Sequence, residues 1–428
     1  SRGNEDQIPE SAPLEDSNID FNKLTPDELK KKIDEYDQEA NKYYQETVKQ
    51  CKEFFTMLSS GILKGDSSKK TLIAKENASS LIAWAYDGLK DKEKTVTALT
   101  SFIKEYPKGK QTPAAMQRLG ILYAEIGKFE DSAKVLEELA VKFPDSKEGK
   151  QAMPMLAKSM YEIGNYEKSI EVLKKMLDQK TELSIFDLRW ALENLSDCGG
   201  KNPKEGSECA FTAGKILLEK IEKPVLEDWL GKQRAAQIAN DQKEQKKIID
   251  LFKEKTIFDT AKAAYYSGNP KEAIQYLNTL LKNEKTPYYY DAKFLRALAY
   301  RAEKDYVKAL ADYGDVGLSA NIAKAISVYY KAQTNIADTF IEQKEFKKAL
   351  SSIDMIAATD IDAWSNDERT KALPLEERAA QMKSFEYSIY LAALCASNLK
   401  DEELKKKMIE KYKNYFPKGK FISEVEKL

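Results

Sequence analysis

Glu125 and Glu162 stand 37 residues apart in two matching stretches, LGILYAEIGKFEDSAKVL (119–136) and LAKSMYEIGNYEKSIEVL (156–173). Two carboxylates at equivalent places are raw material for general acid/base catalysis. That chemistry needs an apolar pocket to move one of the pair from its usual ionisation, and the flanking sequence offers none. The pair reads instead as a solvated face or as a contact for a peptide amine. The chain contains no histidine, which removes His-based proton transfer, Ser-His and Cys-His nucleophiles and His metal ligation together. Its four cysteines, Cys51, Cys198, Cys209 and Cys395, include no CxxC pair, so neither a metal nor a cofactor is expected. Cys198 and Cys209 flank GGKNPKEGSE between two helical patterns. A local disulfide there and two separate thiols are both open, because spacing alone does not establish the geometry. GILKGDSSKKT (61–71) has the residue types of a phosphate loop without its spacing, and no G-x-S-x-G is present.

The bulk numbers exclude further classes. Lys and Arg total 69 against 70 Asp and Glu, a balance that gives no field for nucleic acid or anionic lipid, so no nucleic-acid partner is expected. Apolar residues make up 42% of 428, enough for a core, yet the longest apolar runs, LIAWAY and IYLAALCA, are the size of core helices and not of membrane spans.

The elements that carry these residues repeat. Shifting the opening pair back by a further 37 brings LIAWAYDGLKDKEKTVTAL (81–99) into register. Leu99, Leu136 and Leu173 then align, as do Tyr86, Tyr123 and Met160, the small residues Ala83, Gly120 and Ala157, and the turns YPKGK (106–110) and FPDSK (143–147). Each unit shows apolar residues at helical spacing, a polar break, and a second helical pattern. Two short helices cannot bury their apolar faces alone; stacking on neighbours does so. Looser copies follow around Ala273, Ala309 and Ala349, and a last one ends in FPKGK, giving seven units over most of 75–420.

The Leu-Gly pair Leu119–Gly120, with Tyr123, Gly127, Phe129 and Pro144, resembles the tetratricopeptide repeat pattern. The next unit keeps Leu156, Ala157, Gly164, Tyr166 and Leu173 and has Thr181 where the proline would fall; Ser132 and Ser169 stand where the family has alanine. The resemblance implies an all-α fold, a superhelical array of helix hairpins (an α-solenoid). The 37-residue period and the YP/FP turns are similar to those of bacterial periplasmic and outer-membrane-associated repeat proteins, the BamD-like lipoproteins and the Tol-Pal coordinator.

Along the chain, 1–24 reads as a disordered acidic linker and 25–74 as a long helix with a connector, opened by the capping sequence TPDE. Residues 75–182 form a first array of three repeats, 183–255 an irregular helical connector with the cysteine-flanked loop and Pro224, and 256–428 a second array with an insertion at 359–377, expected as a loop over one face. TPAA at 112 and NPKE at 269 are expected to cap helices as TPDE does.

In this family the first helix of each pair lines a groove. The resemblance places Trp84, Gln117, Ile121, Lys158 and Tyr161 there in the first half, and Phe258, Lys262, Tyr265, Phe294, Arg301 and Tyr390 in the second. Rings give contact area at low entropic cost and cations meet carboxylates or backbone oxygens, which suits a protein or peptide partner. With 23 tyrosines, many rings must instead be core. The leading expectation is a non-catalytic binding scaffold of the cell envelope, periplasmic and tethered to the outer membrane through a lipidated terminus that this chain does not contain. An intracellular, cytoplasmic adaptor of the same fold is the alternative, and a helical domain of an enzyme the third reading.

Overall fold

The computed structural model describes residues 25–63, 69–178, 183–195, 203–221, 237–238, 241–322 and 325–428. The linker at 1–24, Cys198 with the residues that follow it, and Pro224 lie outside these, so the Cys198–Cys209 bridge does too. Regular structure among the described residues is helical, and the chain divides into two compact units, residues 1–165 and 166–428.

In the first unit, α1 (Pro26–Ser59) opens with the expected capping box. The Thr25 hydroxyl accepts the Glu28 N–H, and the Glu28 carboxylate accepts the Thr25 N–H. Then follow α2 (Lys69–Gly88), α3 (Lys92–Glu105), α4 (Thr112–Glu125), α5 (Phe129–Lys142) and α6 (Lys147–Glu162), each packed on the one before. The repeat's matching positions are its core: Leu99, Leu136, Ala83 and Ala157 are completely buried. Each such leucine contributes about 1.5–3 kcal/mol. Gly120 must be small, because a Cβ there would lie 2.6 Å from Leu136 Cδ2; its absence lets α4 and α5 approach. Ser132, in the alanine position, donates to the Gly120 carbonyl at 2.8 Å and meets the Ser159 hydroxyl of α6 at 2.9 Å, so a fully buried hydroxyl is satisfied.

In the second unit, α7 (Tyr166–Asp178) and α8 (Ile185–Leu195) pack on α9 (Pro203–Ile221), and α9 packs on α10 (Gln242–Tyr266). Hairpins then succeed one another: α10 with α11 (Pro270–Leu280), α12 (Tyr289–Ala302) with α13 (Tyr306–Ile322), and α14 (Ile326–Glu342) with α15 (Phe346–Ala358). Ala273, Ala309 and Ala349 sit at zero exposure where the second helices cross the first. The insertion at 359–377 is helical and not a loop. It forms α16 (Ile361–Asn366), α17 (Glu368–Lys371) and the first turn of α18 (Leu375–Leu399), which pairs with α19 (Glu402–Tyr415); α20 (Ile422–Val425) follows. Asp360 and Asp367 cap the two short helices, and Ile361 and Trp364 join the core beneath α18. Trp364 meets Phe385 edge-on at 5.1 Å and donates to Gln381, which is what orders the segment.

Seven turns between successive helices share one geometry. Lys90, Gly127, Gly164, Gly268, Lys304, Lys344 and Lys400 all take positive φ, between 59° and 87°. In each case the next residue's N–H returns to a carbonyl five positions back, as Lys128 does to Tyr123 and Asp305 to Tyr300. This is the helix ending that favours glycine, since a Cβ crowds the following carbonyl. Two expected caps take another form. Helix α4 starts at Thr112 itself, whose hydroxyl donates to the Tyr106 carbonyl, and Gln111 before it makes no side-chain cap. Asn269 occupies the cap of α11, but its amide turns back to the Ser267 hydroxyl. In both places a nearer acceptor competes with the helix end for the side chain.

Candidate partner-binding face

The first helices of successive hairpins touch directly: α4 meets α6 in the first unit, and α10 meets α12 and α14 meets α18 in the second. Every sequence-predicted groove residue lies on a first helix of its own unit.

In the first unit Trp84, Ile121, Lys158 and Tyr161 are half-buried on α2, α4 and α6. The Gln117 amide donates to Gln151 across α4 and α6 at 3.1 Å. Beside them runs an ion network. Arg118 grips Asp87 of α2 through both Nε and Nη2, at 2.7–3.0 Å, and reaches Glu125 at 2.8 Å, while Lys92 approaches Glu125 at 3.3 Å. The Arg118 hydrogen bond holds Glu125 below the usual carboxylate range. A carboxylate kept ionised between two cations is a poor proton donor. Glu162 is exposed at the end of α6.

The second unit brings several of the predicted residues together. Phe258 stacks on Tyr288 at 5.4 Å and belongs to the core of the α10–α12 region. Lys262 lies 5.9 Å from the Tyr266 ring. Tyr265 is half-buried, and burial pushes its phenol up despite Arg301 nearby. Phe294 meets Tyr313 edge-on at 5.4 Å and carries the Lys331 ammonium 4.4 Å above its ring. Arg301 reaches Glu342 at 3.1 Å, Asn335 at 3.3 Å and Asp338 at 3.6 Å, all on α14. Its guanidinium is therefore already engaged. Tyr390 stacks on Phe421 at 4.8 Å with ring planes 3° apart, so the chain's own C-terminal turn occupies that ring face.

Asp338 is the residue the sequence reading missed. It accepts the Tyr387 hydroxyl at 2.7 Å and faces Arg301 and Glu342. Burial raises its carboxyl above the usual range, and the Tyr387 bond and Arg301 only partly offset this. Tyr387 is pushed up in turn, by burial and by Asp338 beside it, and the Cys395 thiol is pushed up to about 12 by burial. A signal existed. Arg301, half inside a helix row, calls for a carboxylate on the next first helix, and α14 holds only two, Asp338 and Glu342. Among the described residues no group of three or more Cys, Asp or Glu could hold a metal ion, and no helix is long and apolar enough to cross a membrane.

A family model described as tetratricopeptide repeat matches residues 258–325, and a second of the same description matches 78–109 and 114–146. No curated protein matches the chain. Among solved structures, a tetratricopeptide repeat protein from Parabacteroides merdae is 11% identical, covering 82% of this chain and 97% of its own, at a TM-score of 0.30. The C-terminal part of a repeat-containing protein from Cytophaga hutchinsonii is 15% identical over 68% of this chain and 96% of its own, at 0.34. A signal-transduction ATPase with a tetratricopeptide repeat sensor, from Pyrococcus horikoshii, is 16% identical over 91% of this chain and 54% of its own, at 0.39. The matched repeats fall in both units, on the hairpins α2–α5 and α10–α13, and the described residues build an all-α array of tetratricopeptide-like helix hairpins.

Proposed function

We propose that this protein is a non-catalytic scaffold that grips a protein or peptide partner on its row of first helices, and that it works in the bacterial cell envelope. The observation that supports the first part is the make-up of that row in the second unit. Tyr265, Arg301, Asp338 and Tyr387 combine aromatic surface with an ion-paired, hydrogen-bonded centre whose side chains are already held in place. A face ordered before binding loses less side-chain freedom when a partner arrives. Tetratricopeptide repeats as such support a protein-interaction role. The envelope assignment rests on the 37-residue period and the YP/FP turns of the first three repeats.

A photo-crosslinking residue placed at Trp84 and Tyr266, on first helices, and at Val141 and Met355, exposed on second helices α5 and α15, tests both parts. The expected result is adducts with an envelope protein from the first pair only. Adducts confined to Val141 and Met355 would overturn the groove. Adducts with cytoplasmic proteins alone would overturn the location.

A further inference from the structure

We infer that the N-terminal half of α1 pairs with the same segment of a second copy of this chain, the two helices running antiparallel, so that the protein self-associates through its first unit. The surface is separate from the first helices α2, α4 and α6, and the assignment does not rest on the partner-binding reading. Helix α1 has 34 residues, while α2, the helix it packs on, has 20. At 1.5 Å per residue α1 is longer by about 20 Å. The last residue of α2, Gly88, lies against the Tyr44 ring, and Lys90 beyond it approaches Asp37 at 3.7 Å. The stretch of α1 before Tyr44 therefore runs on past the end of α2.

The apolar stripe of α1 does not stop where α2 does. Ile33, Tyr36, Ala40 and Tyr43 recur at intervals of three and four, the spacing of a two-helix seam, and the stripe leads on to Val48 and Cys51, the buried residues of α1. Ile33 and Tyr43 are exposed, and Tyr36 and Ala40 half-buried. Nine of the twenty exposed large apolar side chains among the described residues fall between Ile33 and Leu81, and none falls after Leu375. The last hairpin is closed by the chain's own Phe421, Ile422 and Leu428, whereas α1 presents its apolar residues outward. A stacked array needs a polar outer face where it ends in water, so this one is built to be covered.

The charges beside the stripe decide what covers it. Lys30 and Asp37 flank it on one side and Lys32 and Glu39 on the other, each pair one heptad apart. Both flanks are thus basic first and acidic second. A flank of one sign would call for a partner of the opposite sign; a flank that changes sign along its length complements itself when reversed. With two copies of α1 antiparallel, Ile33 sits over Tyr36 of the second copy, Lys30 meets its Asp37, and Lys32 meets its Glu39. The two-fold axis doubles these to four ion pairs. In a parallel pair only Lys32 would meet an acid, Asp37. Lys32 already lies 3.2 Å from Glu35, and Asp37 3.7 Å from Lys90. Surface pairs of this kind are worth about 1 kcal/mol at most, so they share or yield a partner readily.

Sedimentation equilibrium of the full chain tests the assignment. A contact this short is expected to give a dissociation constant of about 10–100 µM. The proteins are the wild type, Lys30→Glu/Glu39→Lys, and the same variant with Lys32→Glu/Asp37→Lys added. The first exchange keeps the net charge and sets like charges against each other at all four antiparallel contacts, while the Lys32–Asp37 contact of a parallel pair is left intact. The full exchange restores all four with their signs reversed. The expected result is a wild-type dimer, weakened about tenfold or more by the first exchange and recovered by the full one, with equal helix content by circular dichroism in all three. A wild type that stays monomeric at about 500 µM would overturn the pairing, leaving the stripe to some other occupant. Self-association of Lys30→Glu/Glu39→Lys as strong as the wild type's would overturn it too, as would a full exchange that recovers nothing.

Discussion

The carboxylate of Glu76 accepts the backbone N–H of Lys110 at 2.9 Å, and 34 residues separate the two. The same bond links Glu386 to Lys420, at the same separation, in the last hairpin. In both, a glutamate on a first helix holds the P-K-G-K turn that follows the second helix. Glu254 does a related task, accepting from Asn283 and Thr286 in the turn after α11.

The glycines of these turns are what admits the glutamate. A Cβ on Gly109 would lie 2.5 Å from Glu76 Oε1, and one on Gly419 would lie 2.5 Å from Glu386 Oε1 and 2.9 Å from Phe416 Cβ. Gly109→Ala and Gly419→Ala should each destabilise by about 1–3 kcal/mol, the second more, because Phe416 Cβ is fixed while a glutamate tip can move. Denaturant melts of Gly109→Ala, Glu76→Ala and the double variant should be less than additive, the sign that one lost bond underlies both.

The seven turns with positive φ give a graded series. Lys90, Lys304, Lys344 and Lys400 hold the conformation that Gly127, Gly164 and Gly268 reach without strain. Lys304→Gly and Lys344→Gly should therefore raise stability by about 0.5–1 kcal/mol each, the gain limited by the extra freedom glycine has in the unfolded chain. Gly127→Ala should lower it by about 1 kcal/mol. Thermal melting of the three single variants checks the order.

Ser132 and Ser159 form a closed pair in the core of the first unit. Ser132 gives its proton to the Gly120 carbonyl, so Ser159 must supply the proton between the two hydroxyls. Ser132→Ala should cost about 1–2 kcal/mol by stranding a buried hydroxyl, while Ser132→Ala/Ser159→Ala should cost less than the single change. Chemical denaturation of the three proteins decides it.

Asp338 makes stability depend on pH with a definite sign. Its folded-state carboxyl titrates above the unfolded value, so the folded protein binds more protons there. The stability it contributes is greatest below the ordinary carboxylate range, near ~4, and is lost as pH rises through the raised folded value. Asp338→Asn keeps an acceptor for Tyr387 and removes that loss, so its stability relative to wild type should climb over this window. Asp338→Ala, which leaves Tyr387 without an acceptor, should cost about 1–3 kcal/mol near neutrality.

The repeat was legible because packing imposes it: Leu99, Leu136 and the small residues Ala83, Gly120 and Ala157 occupy matching places in the core. The helical insertion at 359–377 was not. Its polar composition hides the two residues, Ile361 and Trp364, that seat it against α18. Groove residues were harder still. Arg301 and Phe294 stand on the expected row, but their partners, Asp338 and Lys331, come from the neighbouring hairpin, and spacing along one helix does not specify what a neighbour presents. Tyr390 shows the same limit, since Phe421, which covers its ring, arrives only after α19 has turned the chain back.

Within each unit, helices meet chiefly those beside them in the stack. Change in one hairpin is therefore felt by few others. Such a chain can diverge piecemeal: the alanine spacing drifts to 36 and 40, and a segment like 359–377 slips in, while the seven positive-φ turns keep one shape. Its architecture tolerates novelty on the surface because each part answers only to its immediate company.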